Sequence, residues 1–135
     1  MRRRDARSYV ERLGLVAEVL VTYVVVRRQV RRHDLPRAVA ALRGERRPRY
    51  LAVVAREPRA LAVAAERVVA RIPGDSRCLM RSLVVLAMLA RRGVDARLIL
   101  AARPTPEFAA HAWVERDGDP LLPTRGFGDA RLAEL

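Results

Sequence analysis

Hydrophobic residues recur at three- and four-residue steps through the first half of the chain, which is the spacing of amphipathic helices. The longest such segment covers residues 8–32. The side chains predicted to face the core from it are Leu13, Val16, Ala17, Leu20, Val21 and Val24. Its apolar stretch, residues 13–26, is 14 residues long and includes Glu18. A bilayer needs about 20 apolar residues in a row, so this stretch is predicted to be a core helix and not a transmembrane segment.

Capping residues and prolines predict two shorter helices after this one. Asp34 can cap a helix that has Pro36 in its first turn. Pro58 begins a further helix, which Pro73-Gly74 stops, and the polar segment 45–49 connects the two.

The second half of the chain changes from helical periodicity to a helix followed by strands. Asp75 or Ser76 can cap a helix with leucines at helical spacing, which ends at Gly93. The predicted strands are residues 94–102, 108–116 and 120–122, followed by a last turn at 130–135. Asp117-Gly118 is a strong signal for a two-residue hairpin turn. Helices followed by antiparallel strands make the predicted fold class α+β.

Positive charge is concentrated in the first half. The 135 residues include 27 Arg, no Lys and 15 acidic residues, so the formal net charge is +12. Residues 1–71 hold 18 Arg and 7 acids, whereas residues 72–135 hold 9 Arg and 8 acids. This asymmetry favours an acidic partner for the first half, and a merely solvated helical face is the alternative. The candidate docking residues are Arg27, Arg28, Arg31 and Arg32.

The counts of cysteine, histidine and aromatic residues argue against several kinds of site. Cys78 is the single cysteine, so no internal disulfide can form, and a reducing, cytoplasmic setting is expected. One Cys and two separated His do not make a zinc ligand set, so neither a metal nor a cofactor is expected. The aromatic residues of the basic half are Tyr9, Tyr23 and Tyr50. They predict no base-stacking platform, so nucleic-acid binding is the weakest hypothesis.

Cys78 and His111 are the candidate nucleophile and base. Cys78 falls near the start of its predicted helix, where free backbone N–H groups and the helix dipole stabilise a thiolate. His111 falls on a strand between alanines, which leave room for another side chain beside the imidazole. A helix packed on such a sheet can bring thiol and ring together for nucleophilic catalysis. The alternatives are a small buried cysteine and a structural histidine.

The residues around this pair resemble those of a known family. Residues 78–82 read C-L-M-R-S, and residues 108–115 read F-A-A-H-A-W-V-E. They resemble the C-L-x-R-S helix and the F-x-A-H-A-W-V-E strand of lasso-peptide leader peptidases, in the same order and at the same spacing. The specific match covers residues 76–118, and the basic helical first half is similar to the N-terminal region of that family.

The resemblance implies a cysteine protease in which an N-terminal helical region packs on a small papain/transglutaminase-like core. Such enzymes remove the leader from a ribosomally made lasso-peptide precursor. They act with a small leader-recognition protein, and a separate ATP-dependent cyclase closes the macrolactam ring. On this basis Cys78 is the nucleophile, His111 is the general base, and the backbone N–H of Cys78 is an oxyanion donor.

The third catalytic member departs from the pattern of that family. The family has an Asp or Glu twelve residues after the histidine, and this chain has Pro123 there. With Asp117-Gly118 as a two-residue turn, the strand register puts Thr124 opposite His111, which makes Thr124 the candidate acceptor for the ring N–H. The departure also supports an alternative, in which the chain is a catalytically weak or inactive module that binds and delivers the precursor.

Two regions are therefore expected within one compact unit. Residues 1–72 form the basic helical region, and residues 73–135 form the cysteine-protease-like core. Besides the four arginines, Trp113 is a candidate for binding the substrate or a partner.

Overall fold

A computed structural model describes residues 3–44, 57–74 and 77–135. Within these ranges the helices are α1 (Arg3–Arg32), α2 (Leu35–Gly44), α3 (Pro58–Val69) and α4 (Cys78–Arg91). The strands are β1 (Arg97–Arg103), β2 (Ala109–Arg116), β3 (Asp119–Pro120) and β4 (Arg131–Glu134). Helices followed by an antiparallel sheet confirm the predicted α+β class. The connector predicted at residues 45–49 and the caps predicted at Asp75 or Ser76 lie outside the described residues.

Polar caps begin the two short helices. The Asp34 carboxylate accepts a hydrogen bond at 3.0 Å from the backbone N–H three residues on, as predicted for the start of α2. Pro58 is the first residue of α3, and the Glu57 carboxylate accepts from the N–H groups of Arg59 and Ala60. These two hydrogen bonds, the one from Arg59 first, lower the pKa of Glu57. The cap therefore stabilises α3 at neutral pH, and this contribution is lost as the pH falls through the lowered pKa.

Helix α4 lies at the centre of the core. Ten of its 14 residues are buried, which is typical of a helix that is apolar on all sides. Helices α1, α2 and α3 pack against it, and so do strands β1 and β2. One cluster of buried residues therefore includes members of both halves of the chain, from Leu15 to Leu122.

The strands form one antiparallel sheet in the order β3-β2-β1-β4. A two-residue turn joins β2 to β3, with φ angles of 52° at Asp117 and 81° at Gly118. Positive φ at both positions defines a type I′ turn, so the hairpin prediction is confirmed. The turn pairs Glu115 with Pro120 at the start of the hairpin ladder.

The chain ends in a strand and not in the predicted turn. The prediction for residues 130–135 is wrong, because residues 131–134 form β4 and pair with β1. The physical reason is a long-range contact. The last residues supply the backbone hydrogen-bond partners for the side of β1 that faces away from β2. The segment is too short for an alternation of apolar and polar residues to predict this pairing.

Helix α1 packs on the core through the face opposite to the predicted one. Its buried residues are Leu15, Glu18, Val19, Thr22, Tyr23 and Val26. The residues predicted as its core face are exposed, and the prediction is wrong for Leu13, Val16, Ala17, Leu20, Val21 and Val24. Apolar residues recur at helical spacing on both sides of α1, so periodicity alone cannot choose between them. In the described part of the chain, no helix is long and apolar enough to cross a membrane.

A buried ion-pair network determines which face of α1 is inside. The Glu18 carboxylate accepts two hydrogen bonds from Arg92, at 2.8 and 2.7 Å, and one from Arg91 at 3.3 Å. Arg91 also donates to the Thr22 hydroxyl at 2.7 Å. The side chains of Glu18 and Arg91 are only 1% and 4% exposed. A carboxylate this deeply buried requires such partners, and Arg91 and Arg92 supply them to the side of α1 that carries Glu18 and Thr22.

Replacing Glu18 by Ala removes the carboxylate that holds Arg91 and Arg92. We expect the free energy of unfolding, measured by urea denaturation, to fall by about 3–5 kcal/mol, the usual effect of breaking a buried ion pair. Glu11→Ala is the matched control, because Glu11 pairs with Arg7 on the exposed side of the same helix. Such exposed helical pairs contribute about 0.3–0.5 kcal/mol. Equal losses in the two variants would contradict the role of the network.

Candidate active site

Cys78 is the first residue of α4. The preceding Arg77 has extended backbone angles and supplies no side-chain cap to the helix. The first-turn N–H groups of a helix lack intrahelical partners, and the helix dipole favours negative charge beside them. The Cys78 side chain is a free thiol and partly exposed. The Cys78 sulfur therefore lies at the N-terminus of a helix and within reach of a substrate.

His111 lies in β2 and is buried. It pairs with Ala101 of β1, and the alanines around it leave space beside the ring, as the sequence suggests. The hydroxyl of Ser82, about one turn along α4 from Cys78, donates to the Ala112 carbonyl at 3.1 Å. This buried hydrogen bond holds the beginning of α4 against β2 next to the histidine.

Cys78 and His111 line the same small cavity. The other residues that line it are Glu66, Arg81, Ser82, Ala112, Leu122, Pro123 and Arg125. Two residues 33 positions apart in the sequence are thus brought together at one site by the packing of α4 on β2.

A backbone carbonyl holds the imidazole of His111. Its Nε2 lies 2.7 Å from the carbonyl oxygen of Pro123. Because a carbonyl oxygen can only accept, Nε2 carries the hydrogen and donates it, and Nδ1 of the neutral ring is left as the acceptor. The ring also lies against Trp113 and Phe127, with centroids 5.7 and 5.6 Å away. These contacts together set both the tautomer and the orientation of the ring.

The Pro123 carbonyl occupies the place that the hairpin register predicts for the Thr124 hydroxyl. The ladder continues as predicted to Leu121, whose N–H donates across the hairpin at 2.8 Å. Strand β3 has only two residues, and beyond Leu121 the chain no longer follows the register of the hairpin. Thr124 lines a neighbouring groove, and a catalytic role for it stays a prediction.

Three charged side chains at the cavity did not stand out in the sequence: Glu66, Arg81 and Arg125. Arg81 lies three residues after Cys78 on the same face of α4, and its guanidinium is 3.5 Å from the carboxylate of Glu66 in α3. Both side chains are about one-quarter exposed, at 25% and 23%. The helical spacing from Cys78 is a signal that could have found Arg81. Glu66 has no such signal, because only the packing of α3 on α4 brings it to the cavity.

The residues predicted to bind a substrate or partner lie elsewhere. The exposed arginines at the end of α1 are Arg27, Arg28, Arg31 and Arg32. None of the four forms an ion pair with a described residue. Trp113 is fully buried, and its indole N–H donates to Glu115 at 3.2 Å. An indole in the core cannot touch a partner, so the structure gives Trp113 the role of packing against His111 instead.

The described residues contain no group of three or more His, Cys, Asp or Glu side chains that could hold a metal ion. The second histidine, His33, is exposed between α1 and α2 and does not line the cavity. The groups at the cavity therefore include a thiol, an oriented imidazole, a carboxylate–guanidinium pair and the guanidinium of Arg125.

Comparison with protein families agrees with this fold. The profile of the transglutaminase-like superfamily, Transglut_core3, matches residues 16–130, which is most of the chain. No characterised protein and no solved structure gives a significant match. The matched region includes α4 with Cys78 and β2 with His111, and the chain belongs to the transglutaminase-like superfamily.

Proposed function

We propose that the chain is a cysteine peptidase that removes the leader from a ribosomally made lasso-peptide precursor. The observation that carries the peptidase part is that Cys78, at a helix start, and His111 line one cavity. The Nε2 of His111 is hydrogen-bonded to the Pro123 carbonyl. The superfamily generally includes cysteine peptidases and acyltransferases. The leader-peptidase part is supported by the resemblance of residues 78–82 and 108–115 to the motifs of that family.

The proposed reaction passes through a thioester. The thiol of Cys78 gives its proton to Nδ1 of His111, and the sulfur attacks the carbonyl carbon of the scissile peptide bond. The imidazolium returns that proton to the leaving amine as the C–N bond breaks, which leaves the leader as a thioester on Cys78. Water then attacks the thioester with His111 as base, which frees the leader as a carboxylic acid and restores the thiol. The backbone N–H of Cys78 is the candidate donor to the oxyanion.

The Pro123 carbonyl takes over part of the role that a carboxylate has in the resembled family. It holds Nε2–H and so keeps Nδ1 available for the thiol proton. A neutral carbonyl stabilises an imidazolium less than a charged carboxylate does. However, the contact comes from the backbone, so proline at this position does not remove it. We therefore expect an active enzyme.

A groove beside the cavity offers the substrate a path. It has a volume of about 440 Å³ and is lined by Arg59 and Val63 of α3 and by residues 120–124. Leu122 and Pro123 line both the groove and the cavity, so the two lie side by side. The mostly apolar groove suits an extended peptide segment that leads past Pro123 to Cys78.

The resemblance also supplies the partners and the setting of the proposal. They are the precursor peptide, the small leader-recognition protein and the macrolactam-forming ATP-dependent cyclase. A nucleophilic Cys78 has to stay reduced, which fits the cytoplasm.

An inactive or weak member of the family that binds and delivers the precursor is the second candidate. The observation that favours it is the neutral carbonyl on the ring of His111, where the resembled family has a carboxylate. In this function the groove would bind the precursor and Cys78 would do no chemistry.

Incubation of the precursor and the recognition protein with Cys78→Ala separates the two functions. We expect cleavage, followed by mass spectrometry, to fall on the order of 10⁴-fold or more, as when a catalytic nucleophile is removed. His111→Ala should also lose cleavage, whereas His33→Ala, which changes the exposed histidine, should not. Equal cleavage by the wild type and Cys78→Ala would refute the nucleophile assignment. Tight precursor binding without cleavage by the wild type would favour the delivery module.

The rate at which iodoacetamide alkylates Cys78 at pH 7 shows which group orients His111. If the Pro123 carbonyl does so, Thr124→Val should change this rate by less than about 3-fold, whereas His111→Ala should lower it more than about 10-fold. The single cysteine makes the reaction specific to the site, and the small reagent does not depend on the groove. A loss in Thr124→Val as large as that in His111→Ala would assign the orienting role to the Thr124 hydroxyl.

A further inference from the structure

Helix α1 exposes an apolar stripe on the side away from the core. Six of its members are Val10, Leu13, Val16, Leu20, Val21 and Val24, which are between 38% and 62% exposed. Steps of three and four residues align them on one face, over about 20 Å of helix at 1.5 Å per residue. A contiguous exposed apolar patch of this kind usually marks an interaction site.

The same face becomes basic toward the end of the helix. Arg27, Arg28 and Arg31 follow Val24 by three, four and seven residues and therefore continue the stripe. All three are exposed, and none pairs with an acidic side chain of the described ranges. We call the stripe together with these three arginines the α1 docking face.

The apolar part of the α1 docking face borders a concave groove. Val16 and Leu20 form one wall, and Val68, Ile72 and Pro73 at the end of α3 form the other. The groove has a volume of about 320 Å³ and is mostly apolar. A pocket of this size accepts protruding side chains of a protein, which a flat membrane surface does not offer.

Charge argues against a second copy of the chain as the occupant. Helix α1 carries eight Arg and three acidic residues, one of which is the internally paired Glu18. Antiparallel pairing through the stripe would set Arg27 and Arg28 of one copy near Arg3, Arg4 and Arg7 of the other. Like charges placed opposite each other suppress such a contact.

The composition of the face argues against a membrane. Interfacial helices bear Trp, Phe or Leu on the buried side and basic residues along a separate polar face. Here the stripe contains Leu13 and Leu20 but no Trp or Phe, and the basic residues follow the apolar ones along the same face and not on a separate polar face.

We propose that the α1 docking face binds a helical segment of a partner protein that is apolar on one face and acidic beyond one end of that face. Its apolar side chains cover the stripe and enter the groove, and its carboxylates pair with Arg27, Arg28 and Arg31. The inference goes beyond the proposed peptidase function, because no residue of α1 lines the cavity of Cys78.

The test measures binding of a fluorescent peptide to the full chain by anisotropy. The probe is a synthetic helical peptide with leucines at three- and four-residue steps and a cluster of glutamates at one end. The control peptide has lysines in place of the glutamates. We expect the acidic peptide to bind at least about 10-fold more tightly, because only it complements the arginines.

Two variants remove the two parts of the face separately. Leu13→Ser with Leu20→Ser, and Arg28→Glu with Arg31→Glu, should each weaken acidic-peptide binding about 10-fold or more. All four side chains are exposed, so the fold should persist, as circular dichroism would verify. The matched controls are Leu132→Ser and Arg97→Glu, exposed residues of β4 and β1, which should leave binding unchanged.

Three results would overturn the proposal. One is equal binding of the two peptides, or binding that the face variants do not weaken. Another is a dimer in analytical ultracentrifugation that Leu13→Ser with Leu20→Ser abolishes. The third is that the chain binds phosphatidylglycerol vesicles but not the acidic peptide, and that the two face variants lose this vesicle binding. The alkylation rate of Cys78 should be the same in all variants, so failure here is distinguishable from failure of the peptidase proposal.

Discussion

The burial of the Glu18 carboxylate between Arg91 and Arg92 determines how α1 packs on α4. A carboxylate that is 1% exposed is stable only with charged hydrogen-bond partners around it. The C-terminal end of α4 supplies these partners, so α1 has to turn the side that carries Glu18 inward. Once that side is buried, Leu13 and Leu20 necessarily face solvent. One interaction therefore accounts for both the packing of the helical region and its exposed apolar face.

Helix α4 connects this network with the candidate active site. Cys78 is its first residue and Arg91 its last, about 20 Å apart along the axis. Between them, the Ser82 hydroxyl fixes the helix to β2 beside His111. The helical region contributes one described residue, Glu66, to the lining of the cavity. Its larger contribution is to hold the helix that carries the thiol, since a shift of α4 would move Cys78 relative to the imidazole.

Features that depend on local residue preferences could be predicted from the sequence, and features that depend on distant contacts could not. The cap at Asp34 and the hairpin turn at Asp117-Gly118 follow from neighbouring residues. The buried face of α1 is set by an ion pair between Glu18 and a residue 74 positions away, which periodicity cannot detect. The hydrogen bond from the His111 ring is accepted by a backbone carbonyl. Every residue has a backbone carbonyl, so no residue type in the sequence predicts this contact.

The tautomer of His111 tests the account of the active site most directly. The chain has only two histidines, so ¹⁵N NMR of the imidazole nitrogens in a Cys78→Ala background can be assigned with His33→Ala. At a pH where the rings are neutral, the account predicts that His111 carries its hydrogen on Nε2, donated to the Pro123 carbonyl, with Nδ1 free to accept. A hydrogen on Nδ1, or a mixture of tautomers like that of free histidine, would contradict it.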